Sequence, residues 1–288
     1  MRHHLDVLAA ALLFSTGGAG LKLTTLPSWQ VAGLRSAVAA AVILLFLPQS
    51  RDLSRPFTWL AAIAYAVTVV FFALANRLTT SASAIFLQAS APLWLLLLAP
   101  LLLGERARTR DLLLAGVMLV GMTVAFLDPA AGTTLAPNPP LGNLLAATTG
   151  LTWALTVVAM RHLSRGDRDS ALPVVTAGNL LAFAACVPFM GPLRPPGAWN
   201  AALILFLGAI QVGLAYVLMA RGVRHVPAFE AALLVLLEPV MNPLWAWLAT
   251  GERPGVRTLA GGALILAAAL VHTLRHRRGT AAAAAPPD

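Results

Sequence analysis

Glu238 is a carboxylic acid inside an otherwise apolar run, "ALLVLLEPVMNPLWAWLAT" (232–250), with Pro239 directly after it and Pro243 one turn later. Pro239 has no N–H, so the carbonyl of Val235 loses its helical partner. An acid in this setting has three uses. It can hydrogen-bond such a carbonyl, hold the ammonium group of a solute, or exchange a proton. Gln88 and Ser90 stand just before a second proline, Pro92, in another apolar run. Asn242 follows Glu238 by four residues, on the same helix face. Side-chain amides both donate and accept, which suits an ammonium and a carboxylate together. Each amide alone fits helix–helix bonding, whereas Gln88 and Asn242 clustered with Glu238 read as a solute site. Trp94, Trp153, Phe14 and Tyr216 lie inside apolar runs, where they can stack on a solute or simply pack. Arg35 lies about six residues inside its own run, close enough to an end to snorkel to the interface; attraction of a carboxylate is the alternative.

The sequence has no phosphate-binding glycine loop, no HExxH, no G-x-S-x-G and no paired Cys/His spacing. No metal, no cofactor and no enzymatic activity are expected. The single Cys186 has no partner for an internal disulfide.

The elements that must position these residues follow from composition. Of 288 residues, 59% are hydrophobic and 11% charged. An ordinary soluble domain has about 25% charged residues, so most of this chain needs lipid as its solvent. The net charge of +9 resides in arginines of short loops between apolar runs, where it meets anionic headgroups and not nucleic acid. Apolar stretches of spanning length fall near 5–22, 29–47, 57–76, 80–103, 109–127, 141–161, 171–190, 199–220, 227–249 and 256–274. The first, behind "MRHH", reads as an uncleaved helix because no cleavage site leads into a polar start. The fold class is therefore an all-α integral membrane protein with ten transmembrane helices. Trp29, Trp59 and Trp199 begin spans and suit interfacial anchoring.

With a cytoplasmic N-terminus, fourteen of the twenty Lys and Arg residues fall on the inner side and five on the outer side. That bias puts both termini in the cytoplasm. Helix nine then starts inside, and Glu238 lies about 16 Å along it at about 1.5 Å per residue. This is close to the middle of a hydrocarbon core about 30 Å thick. An ionised carboxylate facing lipid there costs about 2.5–3.5 kcal/mol, so Glu238 should face the bundle interior.

A shift of 147 positions superposes "GER" at 104–106 on "GER" at 251–253, Pro92 on Pro239, Arg77 on Arg224, Ala84 on Ala231 and Leu87 on Leu234. Five helices, an odd number, separate the copies, so the two repeats run in opposite directions through the membrane. Such inverted repeats bind solute near the midplane where they meet. The boundaries are a first five-helix repeat at 1–127, a Pro-rich linker at 128–140, a second five-helix repeat at 141–275 and a disordered cytoplasmic tail at 276–288. The prolines, recurring in both repeats, read as helix kinks that line the cavity.

These features resemble the ten-helix EamA-type carriers of the drug/metabolite transporter superfamily. The resemblance rests on the paired proline-to-"GER" ends of helices four and nine, on Arg35 in helix two and on the Pro-rich joint. Within that superfamily, "FS" at Phe14–Ser15, "LW" at Leu93–Trp94 and "LTW" at Leu151–Trp153 look most like the bacterial YddG-type exporters of aromatic and other amino acids. The resemblance implies outward transport of a small solute by alternating access. It also implies a central cavity reached by Phe14, Ser15, Trp94 and Trp153, beside Gln88, Ser90, Tyr216, Glu238 and Asn242. Ala91 and Phe86 stand where more tyrosines would be expected, a departure that bears on aromatic preference. The expected partners are the small-molecule substrate, the lipid bilayer of a bacterial inner membrane and, through Glu238, protons. Drugs, nucleosides and other metabolites are alternative solutes, and a membrane enzyme or scaffold is a rival class.

The inverted arrangement makes a direct prediction. With Cys186 replaced by Ala, a cysteine at Arg253 should react with a membrane-impermeant thiol reagent added outside cells. A cysteine at Arg106 should react only after permeabilisation. Reaction of both from one side overturns the inverted reading.

Overall fold

The computed structural model describes residues 2–102, 109–127, 133–164, 171–193, 195–222, 225–226 and 234–283. Among these residues the chain is helical, apart from turns and one isolated bridge between Thr133 and Ala136. The "GER" copy at 104–106, Arg224 and Ala231 lie outside the described residues.

The first apolar stretch forms α1 (Arg2–Ser15) and α2 (Gly17–Leu23), which part at Thr16. The hydroxyls of Ser15 and Thr16 fold back onto the carbonyls of Leu12 and Leu13, each at 2.7 Å, and Gly17 and Gly18 follow. Back-bonding hydroxyls next to glycines are a recognised cause of helix kinks. Next come α3 (Ser28–Phe46) and α4 (Pro56–Leu78), then α5 (Ser81–Gln88), α6 (Ala91–Leu102) and α7 (Thr109–Phe126). The second half holds α8 (Pro139–Ser164), α9 (Ala171–Cys186) and α10 (Ala198–Leu205). A wide π-helical turn at Phe206–Leu214 then leads to α11 (Ala215–Gly222), followed by α12 (Leu237–Thr250) and α13 (Val256–Ala283). α13 runs through 276–283, a stretch expected to be disordered. Its alanines have the highest helix propensity of any residue and extend the helix. Residues 284–288 lie outside the described residues.

Among the described residues, six helices are long and apolar enough to cross a membrane: Arg2–Leu23, Ser28–Phe46, Pro56–Leu78, Pro139–Met160, Leu172–Phe189 and Ala198–Met219. The surface is strongly apolar, with Leu45, Phe46, Leu113, Trp199, Leu248 and Val256 exposed, while Asn76, Asn143, Thr149, Thr156 and Asn179 are buried. Polar groups inside and large apolar groups outside are the arrangement a lipid solvent selects, and the chain is a multi-pass membrane protein.

The two halves of the chain interleave. α4 packs on α8 and α9, α3 on α9 and the π turn, α1 on α11 and α12, α2 on α12, and α7 on α13. The α7–α13 crossing is close because Gly121 faces Gly261; a Cβ on Gly121 would come within 2.8 Å of the Gly261 carbonyl.

One end of the bundle is locked by charge. Lys22, at the end of α2, pairs with Glu252, just past α12, at 2.9 Å, and both side chains are almost wholly buried. Lys22 Nζ also donates to the carbonyls of Thr79 (2.6 Å) and Leu135. Glu252 Oε1 accepts the backbone N–H of Ser81 at 2.5 Å, in the first turn of α5, where the helix dipole favours an anion. Nearby, Arg77 donates to the carbonyls of Leu21, Thr24 and Leu26. The pair thus ties α2, α4, α5 and α12 together.

Breaking a buried pair from one side leaves an uncompensated charge, at about 3–5 kcal/mol. Lys22→Met should therefore lower the thermal unfolding temperature of the purified protein sharply. The double variant Lys22→Met/Glu252→Leu should recover much of the loss.

Candidate functional site

Helices four and nine are both interrupted next to a proline. α5 gives way to α6 through a turn at Ala89–Ser90, and a turn at Leu236 precedes α12. Pro92 leaves the carbonyl of Gln88 without its helical N–H, and Pro239 does the same to Val235. Gln88 and Val235 both line a cavity of about 290 Å³ between the two halves of the chain. Its wall also holds Phe14, Arg35, Tyr65, Thr68, Val69, Phe72, Trp153, Gln211, Val212, Tyr216, Met219 and Glu238.

An aromatic chain runs round this space. Phe14 meets Tyr216 edge-on with ring centroids 5.0 Å apart, Tyr216 lies 6.1 Å from Tyr65, and Tyr65 lies 6.5 Å from Trp153. Tyr65 is fixed from behind, its hydroxyl accepting from Asn179 Nδ2 at 3.2 Å. The hydroxyls of Thr68 and Thr152 meet at 2.7 Å and join α4 to α8 beside the cavity.

The polar groups in the wall are incompletely partnered. Gln211 enters from the π turn and donates to the Phe14 carbonyl at 3.2 Å, but its Oε1 has no partner among the described residues. Gln88 Oε1 is likewise without one. Arg35 donates through Nη2 to the Val69 carbonyl at 2.8 Å, while its Nε is unpartnered. Arg35 is 3% exposed, so it turns into the bundle and does not snorkel outward. Glu238 is half-buried in the same wall. Buried polar atoms without partners carry a cost of about 1–3 kcal/mol each.

Of the residues expected in a solute site, Phe14, Gln88, Trp153, Tyr216 and Glu238 line this cavity, and Ser15, Ser90, Trp94 and Asn242 do not. Ser15 Oγ is engaged by the Leu12 carbonyl and by Trp245 Nε1 at 2.9 Å. Ser90 Oγ returns to the Leu87 carbonyl at 2.5 Å and is wholly buried at the helix break. Trp94 packs against the hydrophobic core. Asn242 is wholly buried where Gly18 of α2 passes; a side chain on Gly18 would strike Asn242 Oδ1. Being on one helix face with Glu238 did not place Asn242 in the cavity, because α2 covers it first. Tyr65 and Gln211 were not anticipated. The chain has two tyrosines, and both line the cavity. Their scarcity in so apolar a chain is the signal that points to them.

Among the described residues no group of three His, Cys, Asp or Glu side chains could hold a metal.

The chain matches the EamA-like transporter family twice, over residues 3–127 and 140–274. It is 31% identical over 225 residues to an uncharacterized transporter of Archaeoglobus fulgidus, covering 77% of this chain and 78% of that one. It is 28% identical over 276 residues to the pseudopaline exporter CntI of Pseudomonas aeruginosa, covering 92% and 94%. The identity is again 28% over 276 residues to the aromatic amino acid exporter YddG of Ancylobacter novellus, covering 94% and 88%. One solved crystal structure of a protein aligns over 96% of this chain and 98% of its own length, at 27% identity and a TM-score of 0.63.

Packing and lining residues should separate experimentally. Ser15→Ala orphans Trp245 Nε1 and should lower stability by about 1–3 kcal/mol while leaving the substrate KM unchanged. Trp153→Ala should raise KM with a smaller loss of thermal stability. Equal KM shifts in both variants would refute the assignment of Ser15 to packing.

Proposed function

The chain belongs to the EamA-like transporter family, and on that premise we propose that it exports amino acids, aromatic and other neutral ones, across the bacterial inner membrane. The mechanism proposed is secondary transport by alternating access, with ten membrane spans in two inverted repeats and both termini in the cytoplasm. The observation that carries the reading is the cavity itself, an aromatic chamber that also holds one acid, one guanidinium and two unsatisfied amide oxygens. At about 290 Å³ it lies at the small end of ligand sites, which run from about 300 to 1,000 Å³, and so suits a small metabolite.

The cavity wall supports the inverted repeat. Under the 147-residue offset, lining residues pair with lining residues: Tyr65 with Val212, Val69 with Tyr216, Phe72 with Met219 and Gln88 with Val235. Helix contacts pair in the same way. α4 on α8 mirrors α11 on α1, and α3 on the π turn mirrors α9 on α4. A solute at the axis relating two such units can be exposed to either side as the units rock. In this conformation the Lys22–Glu252 lock closes one end, which the proposed topology places outside.

Export and an amino acid substrate are drawn from the likeness to YddG. The equal identity to the pseudopaline exporter favours a second reading, in which the same machinery carries another small metabolite; drugs and nucleosides belong to this alternative too. Saturable counterflow of labelled amino acids in proteoliposomes is the decisive measurement. Absence of any solute flux would favour an enzyme or scaffold instead.

Glu238 is the group proposed to meet the substrate ammonium or to exchange a proton. Loss of a charge-assisted hydrogen bond in Glu238→Gln should raise the amino acid KM about tenfold. A pH series of flux then separates the two roles. A profile flattened relative to wild type assigns proton exchange to Glu238, and an unchanged profile leaves it only the ammonium. An unchanged KM and profile together would remove the acid from transport.

A further inference from the structure

We infer that Arg35 is the carboxylate anchor of the transport cavity, so that the solute must carry a carboxylate at one end and an ammonium at the other. This rests on the amino acid reading above and names the group that selects the acid end. Arg35 Nη2 is tethered to the Val69 carbonyl, its Nε has no partner, and no ion pair joins it to any described carboxylate. Glu238 lines the same cavity, and no described donor reaches its carboxyl oxygens. Both groups line a space of about 290 Å³, and no ion pair between them is found among the described residues. A buried guanidinium is always charged and presents its donors as a planar fork, the complement of a carboxylate.

The repeat gives an independent argument. Four pairs of lining residues are shared between the two units, but the charges are not. At the 147-residue offset Arg35 corresponds to Ala182, Glu238 to Ala91 and Gln211 to Ala64. Arg35 and Glu238 therefore give the wall a polarity that the repeat itself does not have. A zwitterion between Arg35 and Glu238, with its side chain against Phe14, Tyr216, Tyr65 and Trp153, has that polarity.

The test uses the full-length protein in liposomes, with counterflow of labelled L-phenylalanine as the probe. Unlabelled L-phenylalanine competes against L-phenylalaninamide and 2-phenylethylamine, which lack the carboxylate. In wild type the amide and the amine should compete about tenfold more weakly or worse. In Arg35→Gln, L-phenylalanine should weaken to the level of the amide while the amide is unaffected. Arg35→Lys should restore part of the discrimination, and it decides the matter if the glutamine variant does not fold. Equal competition by acid and amide in wild type overturns the inference. So does discrimination retained in full by Arg35→Gln or, where that variant fails to fold, discrimination in Arg35→Lys undiminished from wild type. If wild type shows no counterflow of phenylalanine or of any amino acid, the amino acid reading falls and this inference falls with it. Counterflow with Arg35-independent discrimination leaves that reading standing and removes only the anchor.

Discussion

A backbone carbonyl without an N–H partner cannot face hydrocarbon, and the placement of the cavity follows from that constraint. Pro92 and Pro239 each free one carbonyl deep in an apolar helix, those of Gln88 and Val235. Exposed to lipid, either would cost several kcal/mol. Both residues instead form part of one cavity wall, and the helices break beside them. The wall thus includes the residue four before each proline. The π turn at Phe206–Leu214 extends it by carrying Gln211 into the same wall. Single wide turns of this kind gather at functional sites because they re-aim side chains that a regular helix would bury.

The locked end of the bundle has the opposite design. Lys22 and Glu252 are as deeply buried as the cavity residues, but their hydrogen bonds are made within the protein, to Thr79, Leu135 and Ser81. A satisfied buried pair contributes geometry more than stability, since apolar replacements of both partners are often tolerated. What it fixes here is the register of α2 and α12 against the α4–α5 corner. The pair links elements of both halves through a few directional contacts.

Much of the fold was legible in the sequence, because lipid leaves few options for a chain with 59% hydrophobic and 11% charged residues. Helix limits at 28–46, 56–78 and 109–126 fall within two residues of the expected runs. The site was legible where chemistry and period agree. Glu238 stands directly before Pro239 and Gln88 four residues before Pro92, and Trp153 and Phe14 lie inside their apolar runs. It was not legible where depth was right and azimuth was not. Asn242 shares a helix face with Glu238, but the glycines of α2 let that helix close over it. Ser15 and Ser90 spend their hydroxyls on their own helices. Arg35 sits close enough to a helix end that snorkelling was the simpler expectation, and only the packing of α3 on α9 and the π turn shows that it points inward. The Lys22–Glu252 pair joins residues 230 positions apart, which no local pattern encodes.

The family model matches each half of the chain, and four pairs of cavity-lining residues correspond at the 147-residue offset while Arg35 and Glu238 do not. Two related units supply part of the wall from residues that pair at one offset, Val69 with Tyr216 and Phe72 with Met219, whereas Phe14 and Trp153 fall opposite Arg161 and Asp6. Such a wall alone would accept a solute in two equivalent orientations and would not read its ends. Placing one cation and one acid opposite alanines removes that equivalence at little cost to packing, since alanine demands no partner. On the proposed function, the unshared positions are those at which the solute class would be set. That separation is consistent with relatives of equal similarity bearing names for solutes as different as pseudopaline and aromatic amino acids.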